Sequence, residues 1–109
     1  MKSKNFVALK RNKDFKKVID NRKTLNNNLY SMKYIENNIN CFRLGISANK
    51  KKFKTAVLRN KIKRQIRTFT HDISIIKGYD VVLIVNDSYN IDNYIINKDK
   101  FVSLYNKLG

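Results

Sequence analysis

Arg59, Lys63 and Arg67 stand four residues apart, with Asn60, Lys61 and Arg64 between them. The chemistry open to such a set is anion binding. Guanidinium groups offer a planar fork of donors that matches a phosphate, and lysines offer compact positive charge. On a helix, successive members of the Arg59, Lys63, Arg67 row lie roughly 6 Å apart along the axis, a spacing that can follow a phosphate backbone. Like charges at this separation cost a helix roughly 0.2–0.5 kcal/mol per pair, so the row opposes the helix unless a polyanion neutralises it. A merely solvated face would mix both signs. Here no Asp or Glu occurs between Asn37 and His71, and Lys50, Lys51 and Lys52 extend the charge upstream.

Other chemistries lack their groups. The eight acidic residues are scattered and make no cluster fit for a metal-dependent nuclease. Acid–base cleavage of RNA commonly uses two titrating groups, and the single histidine, His71, reads as a helix-surface residue one turn after Arg67. Cys41 is the one cysteine, without a disulfide partner or fellow metal ligands, and reads as a small hydrophobe. Three glycines form no phosphate-cradling loop. Neither catalytic nor metal-binding residues are expected in this chain.

The elements that position the basic row come next. The length of 109 residues argues for one domain over 1–109, and a net charge of +16 implies an anionic partner. No run reaches the roughly 18 apolar residues of a membrane span, and Met1 to Leu9 lacks a signal-peptide core, so a cytoplasmic protein without a membrane partner is expected. Leu58, Ile62, Ile66, Phe69 and Ile73 fall in one helical sector, a core stripe from which the basic groups point away; replacing those groups should leave the fold intact. Thr55 is the expected N-cap and Gly78 the C′ residue. Earlier, Asn12 can cap a helix carrying Phe15, Val18 and Ile19 on one face and ending near Arg22. Leu29 to Ile35 alternates as a strand, with Ser31 and Lys33 opposite Tyr30, Met32 and Tyr34. After a turn at Glu36 to Asn40, Phe42, Leu44 and Ile46 alternate in a second strand, expected to form a hairpin with the first. Val81 to Val85 is continuously apolar, as in a strand buried on both faces, and a last helix lies within Asn93 to Leu108.

Thr55-Ala-Val-Leu-Arg-Asn-Lys-Ile-Lys-Arg-Gln-Ile-Arg67 resembles the signature helix of the protein component of bacterial ribonuclease P, approximately A-V-x-R-N-R-x-K-R-x-x-R. Phe42-Arg-Leu-Gly-Ile-Ser47 followed by Lys50 to Lys52 is similar to that family's R-x-G-[LI]-[ST] strand and Lys-Lys loop. Leu9 to Phe15 resembles its first helix and Gly78 to Val82 the strand after the signature helix. Two positions depart: Lys61 replaces an arginine, and Thr68 replaces the common Glu or Gln.

The resemblance implies an α+β fold, a ribosomal-protein-like two-layer α/β sandwich of order α-β-β-β-α-β-α. Its sheet has four strands, including a short one near Lys23 to Asn26, and a left-handed βαβ crossover. It implies a subunit that assists removal of the 5′ leader from precursor tRNA, with catalysis by the RNA subunit and its Mg2+, and with no cofactor or obligate protein partner of its own. Lys51, Lys52, Arg59, Asn60, Lys61, Lys63, Arg64 and Arg67 would face the RNA subunit. Phe15, Ile19, Ser31 and Lys33 would line the cleft for the single-stranded leader, although Phe15 and Ile19 also suit a core-facing helix. A small basic ribosomal protein or a DNA-compacting protein would share the size and charge.

Overall fold

A continuously apolar strand gains most when both of its faces are covered, and Tyr79–Val85 (β5) takes the middle of the sheet. The computed structural model describes residues 7–9, 11–21, 23–37, 39, 42–73 and 78–108. Their order is β1 (Val7–Ala8), α1 (Asn12–Asp20), β2 (Thr24–Asn26), β3 (Tyr30–Glu36), β4 (Arg43–Ala48), α2 (Ala56–Phe69), a 3₁₀ turn (Thr70–Asp72), β5 and α3 (Tyr94–Tyr105). The sheet runs β1-β4-β5-β3-β2. Strands β2 to β5 make the expected four, and the two-residue β1 extends the edge by pairing parallel with β4.

The expected hairpin between β3 and β4 does not form. β5 lies between them, antiparallel to β3 and parallel to β4. Half-buried alternating strands can sit on either side of a fully apolar one, whereas pairing them together would leave β5 at an edge. The hairpin is instead β2 with β3. β4, α2 and β5 form the crossover between adjacent parallel strands.

One sheet face carries the main core. Tyr30, Met32, Leu44, Val81, Leu83 and Val85 meet Ile62, Ile66 and Phe69 of α2 and Phe101, Leu104 and Tyr105 of α3. α1 crosses the opposite face, where Leu9, Val18 and Val82 are buried and Phe15, Ile35 and Ile84 are half-buried.

Helix ends differ in part from expectation. Thr55 does cap α2, its Oγ1 accepting from the Leu58 amide at 3.1 Å. Asn12 is already helical; Arg11 holds the N-cap position without a side-chain bond, and α1 stops at Asp20. Arg22, Cys41 and part of the turn after Glu36 lie outside the described residues. Gly78 is not the C′ residue of α2, which passes into the 3₁₀ turn after Phe69. Its φ of 86° instead serves the entry to β5, where its carbonyl accepts from the Asn37 amide at 2.7 Å. Ile73 is buried as expected of the stripe, but lies just beyond that turn in extended backbone.

Candidate RNA interface

The apolar stripe of α2 rests on the sheet, which turns the rest of its circumference outward. Asn60, Lys61, Arg64 and Arg67 are exposed, and Arg59 and Lys63 are half-buried at the flank next to the stripe. Two charged flanks result. Arg59, Lys63 and Arg67 run along one side, while Lys61 and Arg64 share the other with Gln65 and Thr68.

The lysine loop joins the first flank. Lys50, Lys51, Lys52 and Lys54 are exposed around Phe53, which is buried and pins the loop to the core. Asn49 closes it, its carbonyl accepting from the Phe53 amide and its side chain from the Lys51 amide, both at 2.8 Å. Arg59 Nη1 donates to the Phe53 carbonyl at 2.8 Å. Arg59 is therefore not dispensable for local structure, contrary to the expectation for the basic row. Arg59 is half-buried, and its head group ties helix to loop.

The second candidate surface lies on the other side of the sheet. Register aligns Gly45, Val82, Lys33 and Thr24 in one row, and Ser47, Ile84, Ser31 and Asn26 in the next, all on the α1 face. α1 covers the first row. The Phe15 ring lies on Gly45, where an added Cβ would collide with ring atom Cζ. The second row is left partly open: Ile84 packs against the α1 cluster, Ser31 is half-buried, and Ser47 and Asn26 are exposed. Phe15 is half-buried, Ile19 is exposed, and Lys33 Nζ reaches Thr24 Oγ1 at 3.5 Å. The structure thus places Phe15, Ser31 and Lys33 on the face of the sheet that α1 crosses. Ile19 is on the same helix.

Sequence reasoning missed the groups that hold α1 over this face. Arg43 grips Asp80 side-on, Nε to Oδ1 at 2.7 Å and Nη2 to Oδ2 at 2.5 Å, while Asn37 Nδ2 donates to Oδ1 at 2.6 Å. Arg43 Nη1 also stands 3.5 Å from Asp14 of α1. Burial alone would raise the Asp80 carboxyl, but the hydrogen bonds from Arg43 and Asn37, aided by the charges of Arg43 and Lys17, hold it below the usual carboxylate value. An acid at the mouth of an apolar run, Asp80 before Val81, was the available signal. Asn26, Ser47 and Ile84 of the partly open row were also unassigned, since only cross-strand register places them there.

A buried polar network fixes α2 against α3 and the segment before it. Gln65 Oε1 accepts from Tyr89 Oη and from Asn97 Nδ2 at 3.0 Å, and Gln65 Nε2 donates to the Ile91 carbonyl at 2.9 Å. Tyr30 Oη donates to the Asn97 carbonyl at 2.7 Å. Burial pushes both tyrosine hydroxyls far above their ordinary value, so they remain neutral donors.

Known proteins are similar to this chain in sequence and fold. A family model described as Ribonuclease P matches residues 3–109. The ribonuclease P protein component of Ureaplasma urealyticum is 35% identical over 96 residues, which are 87% of this chain and 81% of the relative. The RNase P protein of Staphylococcus aureus superposes with a TM-score of 0.79 at 30% identity, covering 97% of this chain and 95% of that one. That of Thermotoga maritima gives 0.79 at 25%, covering 94% and 97%.

Proposed function

The chain belongs to the ribonuclease P protein family, and from that premise we propose that it is the protein subunit of a bacterial ribonuclease P, assisting removal of the 5′ leader from precursor tRNA. The lysine loop and the flanks of α2, through Lys51, Lys52, Arg59, Asn60, Lys61, Lys63, Arg64 and Arg67, bind the RNA subunit. Phe15, Ile19, Ser31 and Lys33 receive the leader, its bases on the apolar groups and its phosphates at the lysine. The RNA subunit performs the hydrolysis with its own divalent cations; the protein holds none and supplies no catalytic group. Precursor tRNA and the RNA subunit are the partners, which places the protein in the cytoplasm. Among the described residues no helix is long and apolar enough to cross a membrane.

One observation carries this reading: two unlike surfaces stand on opposite sides of one sheet, the cationic helix α2 on one and the partly covered sheet face beside α1 on the other. Catalytic RNA and substrate are both polyanions and repel each other. A compact cation between them releases condensed counterions from each and offsets that repulsion. A small ribosomal protein would share the charge, but the family match over residues 3–109 favours the ribonuclease P reading.

Reconstitution tests it. At low magnesium, the RNA subunit should cleave precursor tRNA efficiently only with this chain present. The RNA alone should recover activity as magnesium rises, and the protein alone should cleave nothing. Robust cleavage by the purified protein without RNA would overturn the accessory role.

A further inference from the structure

Beside the second flank of α2 lies an open groove of about 380 Å³, lined by Lys61, Arg64, Gln65, Thr68, Ile91 and Tyr94. Tyr94, the first residue of α3, leaves 44% of its surface exposed. Its ring is nevertheless held in place by the buried Phe69 ring, in a T-shaped contact with centroids 5.3 Å apart and planes at 70°. The groove walls are also fixed, because Gln65 binds the Ile91 carbonyl, Tyr89 and Asn97. Lys61 and Arg64, one helical turn apart, carry exposed positive charge at the rim. Asp92 lines a separate depression with Tyr94, Ile95 and Ile96 rather than this groove.

A fixed, partly exposed aromatic ring in a groove that two cations also line has the chemistry of a single-nucleotide site, a ring for the base and charge for its phosphate. We propose that this groove receives one unstacked nucleotide of the RNA subunit, its base on the Tyr94 ring and its phosphate at Lys61 and Arg64. The site rests on the RNA-binding assignment of α2 and extends it, since Lys61 and Arg64 belong to both surfaces. The rim charge and continuity with the phosphate-binding helix favour RNA here over an apolar protein segment.

Full-length Tyr94→Leu, Tyr94→Phe and Arg67→Ala proteins, titrated with a transcript of the RNA subunit, test the assignment. Leucine keeps apolar contact with Phe69 but removes the stacking face, so affinity should fall about 5- to 150-fold. The salt slope should not change, because no charge is lost. Tyr94→Phe should bind like the wild type. Nitration of wild-type Tyr94 by tetranitromethane, which needs no substitution, should be suppressed by the bound transcript. Unchanged nitration overturns the site, as does equal loss in the Leu and Phe variants, which would mean a hydroxyl contact. Wild-type affinity in Tyr94→Leu alongside weakened Arg67→Ala overturns the groove while leaving the α2 assignment standing. Wild-type affinity in both variants removes both.

Discussion

Asp80 shows how one buried carboxylate organises the sheet face under α1. It receives Arg43 and Asn37, and through Arg43 it is linked to Asp14 of α1. Since its folded-state pKa is lowered, the native state binds fewer protons than the unfolded chain near the ordinary aspartate value. Its contribution is therefore complete above about pH 4 and is lost as pH falls through the lowered native value. Thermal melts from pH 6 to pH 2 should show an acid limb that Asp80→Asn flattens. Asp80→Ala should lower the melting temperature at neutral pH, because Arg43 loses its side-on carboxylate and, of its two acidic neighbours, keeps only Asp14 at 3.5 Å. Gly45 makes a second residue-scale point. Alanine there meets the Phe15 ring, so Gly45→Ala should cost about 1–3 kcal/mol or displace α1, read as a lower melting temperature.

At the scale of an element, α2 divides its circumference between a buried apolar stripe and an outward charged face. Ile66 is fully buried, and Ile66→Ala should cost about 2–5 kcal/mol, measured by denaturant unfolding. Arg67 is exposed, and Arg67→Ala should leave stability unchanged while lowering the magnitude of the salt slope of RNA binding by about one. Arg59→Ala should do both, since it also loses the bond to the Phe53 carbonyl, worth about 1.5–3 kcal/mol as a bond from a charged group. Unchanged RNA affinity and salt slope in the Arg67 variant would leave the face merely solvated. The boundary of this helix was readable to the residue at its start, because a Thr cap acts through local geometry. Its end was not, because the 3₁₀ turn after Phe69 follows from the buried packing of Phe69 and Thr70 rather than from any stop residue.

On the scale of the molecule, α1 covers only part of its sheet face, leaving Ser47 and Asn26 exposed at the strand edges of the row that holds Ser31 and Ile84. Phe15 sits at the border of the covered part, half-buried on Gly45. Phe15→Ala should therefore weaken binding of precursor tRNA to the holoenzyme by about 1–3 kcal/mol while sparing mature tRNA, with a loss of stability below the about 3–5 kcal/mol of a fully buried Phe. A large melting-temperature loss with no leader selectivity would put Phe15 in the core. Sequence alone determined the charged face of α2, its Thr55 cap, its apolar stripe and the central place of Val81 to Val85, for these follow from helical and strand periods acting over a few residues. Family resemblance added the short strand at Thr24–Asn26. Only the tertiary structure decided that β5 separates β3 from β4 and that Asp14, Arg43 and Asp80 meet. Each depends on which strands become neighbours, a choice made by covering both faces of β5 at once and written in no single segment of the chain.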